Sequence, residues 1–261
     1  MRYPFDQERE RFVQAGRAKA ASSEPSRTLW GDALKRLRKN KLAIAAIIWI
    51  FIVVVLAVTA DLWVPQHFGD PTAAMLDAVA VGSRLPPSLE HPFGTDTLGR
   101  DVFSRVIYGA RISLSVGVVA TGISTAIGLA MGALAAYYGG IWDTIIMRLA
   151  DIFLAFPYTL FVIAMLAVIG GGIQNVFIAI GILGWPSVAR VFRSAILSVK
   201  ENDYVDAARA MGASDVRIIV RHIFPNSVAS IVVYATMNIG GAILTESALS
   251  FLGMGVQPPA P

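Results

Sequence analysis

The stretch ENDYVDAARAMGASDVRIIVRHIFPN, residues 201–226, is a long polar island in the second half of a very apolar chain. Eight residues between Lys200 and Asn226 are charged: Lys200, Glu201, Asp203, Asp206, Arg209, Asp215, Arg217 and Arg221. Asp203 is a good N-cap, and Asp206 three positions on favours the positive end of a helix. Tyr204, Ala208 and Met211 fall on one face, and Gly212 can supply a left-handed stop. Ser214 then caps a second short helix, with Val216, Ile219, Val220 and Ile223 as its apolar face and Pro225 expected to end it. The stretch reads as helix, tight turn, helix, set between two apolar segments.

Those flanks are what the rest of the composition leads one to expect. Of the 261 residues, 55% are hydrophobic and 15% charged, and the mean hydropathy is +0.61. A soluble domain carries roughly 25% charged residues, so this is a membrane protein. The chain has no cysteine, which excludes a disulfide framework, a thiolate metal site and a cysteine nucleophile. The formal charge of +4 does not point to nucleic acid, because eleven of the 22 Lys/Arg precede residue 42, where they orient a first span. No cleavable signal is expected, since the first forty residues are polar and the apolar segment after them lacks a small-residue site.

In chain order, residues 1–41 are expected to be a cytoplasmic tail followed by a basic amphipathic helix over 29–41 lying on the membrane surface. Residues 42–60, nineteen without a charge, make the first transmembrane helix. Residues 61–110 are an extracytoplasmic segment with several prolines, and Leu98, Val102, Phe103, Val106 and Ile107 mark an interfacial helix within it. Residues 111–261 form the core domain. Its second span, Ile112 to Tyr138, is rich in small residues, with Gly128 and Gly132 at a spacing that lets helices approach closely. The third, about 144–169, is expected to kink at Pro157. The fourth, about 176–197, is interrupted at Trp185-Pro186. The fifth, about 227–252, carries Glu246 as its only charge, near the outer edge where it either serves function or reaches water. The fold expected is all-α: a polytopic helical membrane protein with five spans.

The pattern Asp206-Ala207-Ala208, three residues, Gly212, nine residues, then His222-Ile223-Phe224-Pro225 resembles the "EAA loop" of importer-type ABC permeases. Asp206 stands for Glu, His222 for Ile and Phe224 for Leu. The segments around Gly94-Thr95-Asp96, Gly99-Arg100-Asp101 and Arg111-Ser113-Leu114 resemble C-type subunits of dipeptide/oligopeptide/nickel permeases. So do Trp185, Arg190, Arg193 and Tyr204, and the ending Leu249 to Gly253 with Gln257-Pro258-Pro259. The resemblance covers roughly residues 90–261.

It implies a bacterial inner-membrane permease subunit, N-terminus cytoplasmic, that lines half of a pathway for di- or oligopeptides, or for nickel complexes or oligosaccharides. It also implies a homologous B-type permease partner, two ABC ATPase subunits and an extracytoplasmic substrate-binding protein, all in membrane lipid. ATP and Mg would be held by the ATPase partners and no cofactor by this chain. Tyr204, Asp206, Ala207, Ala208, Arg209, Gly212 and Pro225 would couple to those ATPases; Glu246, Pro157 and Trp185 are the pathway or gate candidates. Members of the family continue into a sixth span, so truncation or an omitted end is expected here.

The chemistry of an enzyme is not in the sequence. It has no P-loop, no GxSxG and no HExxH, and His67, His91 and His222 have no ligand spacing. Asp96 and Asp101 fit no calcium loop, so no metal is expected there. A stand-alone ion-coupled transporter would need carboxylates near the membrane midplane in repeated broken helices, and Glu246 alone is thin support for it. A membrane scaffold would not need the Gly212 turn.

Overall fold

Among the described residues, 37–68 and 83–255, the computed structural model is built of helices and an isolated bridge between Thr95 and Asp101, with no strand. The tail over 1–28, the basic helix up to residue 36 and the Gln257-Pro258-Pro259 ending lie outside those residues. The chain divides into two units, Met1–Val53 and Val54–Pro261. In the first, Asn40 caps the start of helix α1, Lys41–Phe68, by accepting from the Ala43 N–H at 3.1 Å. Leu42, Trp49 and Phe51 are exposed along it, an apolar surface suited to lipid.

In the second unit α1 does not stop at Ala60, as the sequence suggested, but continues to Phe68. The extra turns have a partner. Ala60 and Val64 are buried with Ile107, and Asp61 accepts from the Tyr108 hydroxyl at 2.9 Å and from Arg111 at 2.7 Å. The expected interfacial helix and second span are likewise one element, α2, Val102–Tyr138. Nothing between them breaks a helix. Its 37 residues extend about 55 Å at 1.5 Å each, beyond the ~30 Å of a hydrocarbon core, so the amphipathic first turns project past the apolar layer.

The start of α2 is fixed by the hydrogen bonds of two carboxylates. The Asp101 carboxylate accepts from the Ser104 N–H and hydroxyl, both at 2.7 Å, and lies 3.0 Å from His91 Nδ1. Asp96 accepts from the N–H groups of Leu98 and Arg100 and from the Arg100 guanidinium at 2.8–2.9 Å. Burial pushes the Asp96 carboxyl up, but the bonds from Arg100 and Leu98 outweigh it and hold the pKa below the usual carboxylate range.

Gly128 and Gly132 do what their spacing suggested. They let α2 lie directly on α5, Ile173–Lys200: a Cβ on Gly132 would come 2.7 Å from the Ala189 carbonyl oxygen, and one on Gly128 would overlap Val188. Helix α5 corrects a second expectation, for Pro186 sits inside a continuous helix instead of interrupting it. Trp185 and Ala189 beside it are buried with Ala135, Ile146 and Ala150, and that packing holds the turn that lacks one backbone bond.

The third span departs further. Instead of one kinked helix there are two, α3 (Gly140–Ala155) and α4 (Tyr158–Ile169), at 89° to each other. Proline disfavours the helical conformation in its predecessor, and here Phe156 is extended with φ −90° and ψ 142°. Among the described residues four helices are long and apolar enough to cross a membrane, and five spans result if the bent pair counts as one.

Candidate functional site

The polar island folds as the expected hairpin, with its details shifted. Helix α6 is Asp203–Ala210, and Asn202, not Asp203, stands at its N-cap. The Asn202 amide is spent on the previous element, donating to the Ser198 and Val199 carbonyls at the end of α5 at 3.4 and 2.9 Å. Gly212 has φ +79°, the left-handed stop, and the Ala213 N–H closes it by donating to Ala208 O at 3.1 Å. Ser214 occupies the N-cap position of α7, Asp215–Ile218, without a side-chain bond. Pro225 does not end the second helix. The chain stays helical through a wide π segment, Ile219–Ile223, into α8, Phe224–Phe251, with Pro225 in its first turn. The proline ring would collide with the carbonyl four residues back, at Arg221, and the π segment opens the spiral there.

The buried face takes up only part of the expected stripes: Ala208, Ile219 and Ile223 belong to it, and the rest do not. Val205 and Ala208 of α6, with Ile218 and Ile223 beyond the turn, are buried together with Ala136, Tyr137, Phe192 and Ile196 of α2 and α5. Tyr204, Met211, Val216 and Val220, expected on apolar faces, point away and are 42, 81, 68 and 61% exposed. Of the paired alanines, Ala207 faces out and Ala208 in. Asp206 and Arg209 form an exposed pair, Arg209 donating at 3.1 Å.

Polar bonds that sequence reasoning missed tie this hairpin to the ends of α2 and α5. The Tyr137 hydroxyl donates to Asp215 at 2.6 Å. Lys200 donates to the Tyr137 and Ala136 carbonyls at 2.7 and 3.3 Å and lies 5.7 Å above the Tyr137 ring. It meets the negative end of α2, where a cation is favoured. A lone lysine closing an apolar helix was the available signal. Helices α3 and α5 are joined in the same way: Arg193 donates to both oxygens of Asp143 at 2.5 and 2.6 Å, and Arg190 bonds Asp151.

The pathway candidates are less united. Trp185 is buried and stands edge-on to Phe153 at 5.7 Å, beside the α3–α4 bend at whose apex Pro157 lies exposed. Glu246 is 5% exposed and so does not reach water as one of its two readings required. It accepts from Ser250 at 2.6 Å and Ser113 at 3.4 Å, holding α8 against α2 away from the bend. Among the described residues no group of three His, Cys, Asp or Glu could hold a metal.

Helices long and apolar enough to cross a membrane, with a polar hairpin seated on the ends of α2 and α5, make this a multi-pass helical membrane protein. The chain belongs to the family of binding-protein-dependent transport system inner membrane components, whose model matches residues 124–261. A second model, the N-terminal TM domain of oligopeptide transport permease C, matches residues 28–87. The glutathione transport system permease protein GsiD of Escherichia coli O6:K15:H31 is 45% identical over 235 residues, 90% of this chain and 76% of that one. GsiD of Shigella dysenteriae serotype 1 is 44% identical over the same shares. Among solved structures, the inward-facing MetNI methionine ABC transporter in its native crystal form is similar with a TM-score of 0.52 and 20% identity, covering 59% of this chain and 77% of that chain; the likeness is one of fold. The protein is thus a permease subunit of an ABC importer, as its resemblance implied.

Proposed function

We propose that this subunit lines part of an import pathway for short peptides and is driven through the hairpin at 203–223 by cytoplasmic ATPase partners. The observation that carries the reading is the division of that hairpin into an anchored face and a bare one. Val205, Ala208, Ile218 and Ile223 are buried against α2 and α5, while Tyr204, Met211, Val216 and Val220 are exposed. Apolar side chains gathered on a polar, exposed segment suit a protein interface. The bonds from Tyr137 and Lys200 would turn a push on that interface into movement of α2 and α5. A homologous permease partner completes the pathway, a binding protein delivers from outside, and the ATPases hold ATP and Mg. The basic density before residue 42 supports an N-terminus in the cytoplasm. A peptide-like cargo is favoured because the GsiD relatives are glutathione permeases by name, and glutathione is itself a small peptide.

Asp206 supplies the test. Its pair with Arg209 is exposed, and such pairs contribute about 0–1 kcal/mol, so the fold loses little without it. Asp206→Asn is expected to insert normally yet retain less ATPase on co-purification and give weaker peptide-stimulated hydrolysis, with Asp206→Glu preserving both. Full ATPase retention and full stimulation in the Asn variant would reduce Asp206 to a local helix contact and remove it from the interface.

A further inference from the structure

A second feature of the second unit has no part in the hairpin. A cavity of about 290 Å³ is enclosed by α2, the α3–α4 bend, α5 and α8. That is near the lower end of the roughly 300–1,000 Å³ typical of ligand pockets. Its polar lining is uncharged: Thr121 and Ser124 from α2, Tyr158 from the first turn of α4, Ser187 from α5, and Tyr234, Asn238 and Thr245 from α8. Polar side chains at this depth cost free energy unless they have partners or a use. The direction of their hydrogen bonds is informative. Ser124 donates to Thr121 O at 3.0 Å, Tyr158 to Ile180 O at 3.1 Å, Thr245 to Gly241 O at 2.9 Å, and the Asn238 amide to Tyr234 O at 2.9 Å.

Each of those groups has therefore used a proton on backbone and keeps oxygen lone pairs as acceptors. The Thr121 hydroxyl, buried, has no partner at all. The backbone break at Phe156-Pro157 opens beside the same space. Irregular backbone at membrane depth is tolerated where it lines a cavity.

We propose that this cavity is a substrate subsite within the subunit, and that it takes the N–H groups of a peptide backbone rather than its carboxylates. Ser124, Tyr158, Thr245 and Asn238 have oxygen lone pairs to offer amide and ammonium donors; the Ser187 and Tyr234 hydroxyls can also donate, but no lining side chain carries the positive charge a carboxylate would need. The proposal deepens the peptide-import reading and rests on it. Towards the hairpin end, Arg190, Ser194 and Ser198 of α5 with Asn226 and Ser230 of α8 line a second, wider opening of about 590 Å³.

The absence of cysteine from this chain makes the test direct. The importer would be assembled whole, with its permease partner, ATPases and binding protein, in lipid nanodiscs. Ser187→Cys, nearly isosteric, is treated with a water-soluble methanethiosulfonate reagent and its modification followed on this chain by mass. Saturating glutathione or trialanine is expected to slow that modification by about fivefold or more.

In parallel, Thr245→Val should raise the peptide concentration for half-maximal ATPase stimulation by roughly fivefold, the worth of one neutral hydrogen bond, at unchanged maximal rate. It should also lose the wild type's preference for trialanine over the analogue whose amide N–H groups are replaced by ester oxygens. If the peptides stimulate hydrolysis while labelling at 187 is unprotected and Thr245→Val behaves as wild type, the subsite is wrong and peptide import stands. If neither peptide stimulates hydrolysis in the assembled importer, the peptide reading fails and takes the subsite with it.

Discussion

Gly212 is the residue on which the shape of the hairpin turns. With φ at +79° it occupies the left-handed region, and an added Cβ would find nothing within 4 Å, so a side chain there meets a backbone cost and no collision. For an ordinary L residue that cost is about 1–2 kcal/mol, and a β-branched one is worse placed still, whereas Asn tolerates the region. Gly212→Val is therefore expected to insert and express normally while lowering substrate-stimulated ATP hydrolysis severalfold, and Gly212→Asn to keep most of it. Normal stimulation in a well-expressed Val variant would show that the turn can open without loss of coupling. This residue was legible from the sequence because few residue types suit positive φ. Its neighbours were not. Tyr204, Ala208 and Met211 share a helical stripe, but so do Val205 and Ala208, and only the apolar ends of α2 and α5, distant in sequence, choose which stripe is buried.

Elements show the same division between what composition dictates and what contact decides. The first two spans announced themselves, since about twenty or more uncharged residues have few places to go but a membrane. Where the helices stop was set by partners: Arg111 and Tyr108 reaching Asp61 lengthen α1, and the cap at Asp101 joins an amphipathic stretch to α2. Pro157 broke its span and Pro186 did not, though both are prolines in apolar runs. Phe156 took the extended conformation, whereas Pro186 lies in a helix clamped against α2. The α2–α5 seam gives the measurable case. A side chain at Gly132 would press on the Ala189 carbonyl at 2.7 Å, while Gly122 on the same helix has open space. Overpacking of this kind costs about 1–3 kcal/mol. Gly132→Leu is expected to lower the melting temperature of the detergent-solubilised complex by several degrees, at roughly 2–4 °C per kcal/mol for a domain of this size. Gly122→Leu should leave it within a degree or so. Equal melting of the two variants would mean that the helices separate there at little cost.

At the scale of the second unit, α2 decides which parts can share a side of the membrane. The irregular segment over 83–101 leads into its first turn, and the hairpin is bonded to its last through Tyr137 and Asp215. The two are separated by 37 helical residues, about 55 Å of helix, so a membrane with a core of ~30 Å leaves them on opposite faces if α2 crosses it. The expected assignment of the faces rests on basic residues, because cytoplasmic loops carry an excess of Lys and Arg. The hairpin end carries seven, Arg148, Arg190, Arg193, Lys200, Arg209, Arg217 and Arg221; the other end carries Arg84, Arg100, Arg105 and Arg111. Single cysteines in this cysteine-free chain read the answer in intact cells. Met211→Cys, at a position 81% exposed, is expected to react with a membrane-impermeant maleimide only after permeabilisation. Ser88→Cys, exposed in the 83–101 segment, should react without it. Labelling of both from outside would mean that α2 does not cross. Labelling of Met211→Cys alone would invert the subunit, put the hairpin beyond reach of any cytoplasmic ATPase and end its assignment as the coupling element.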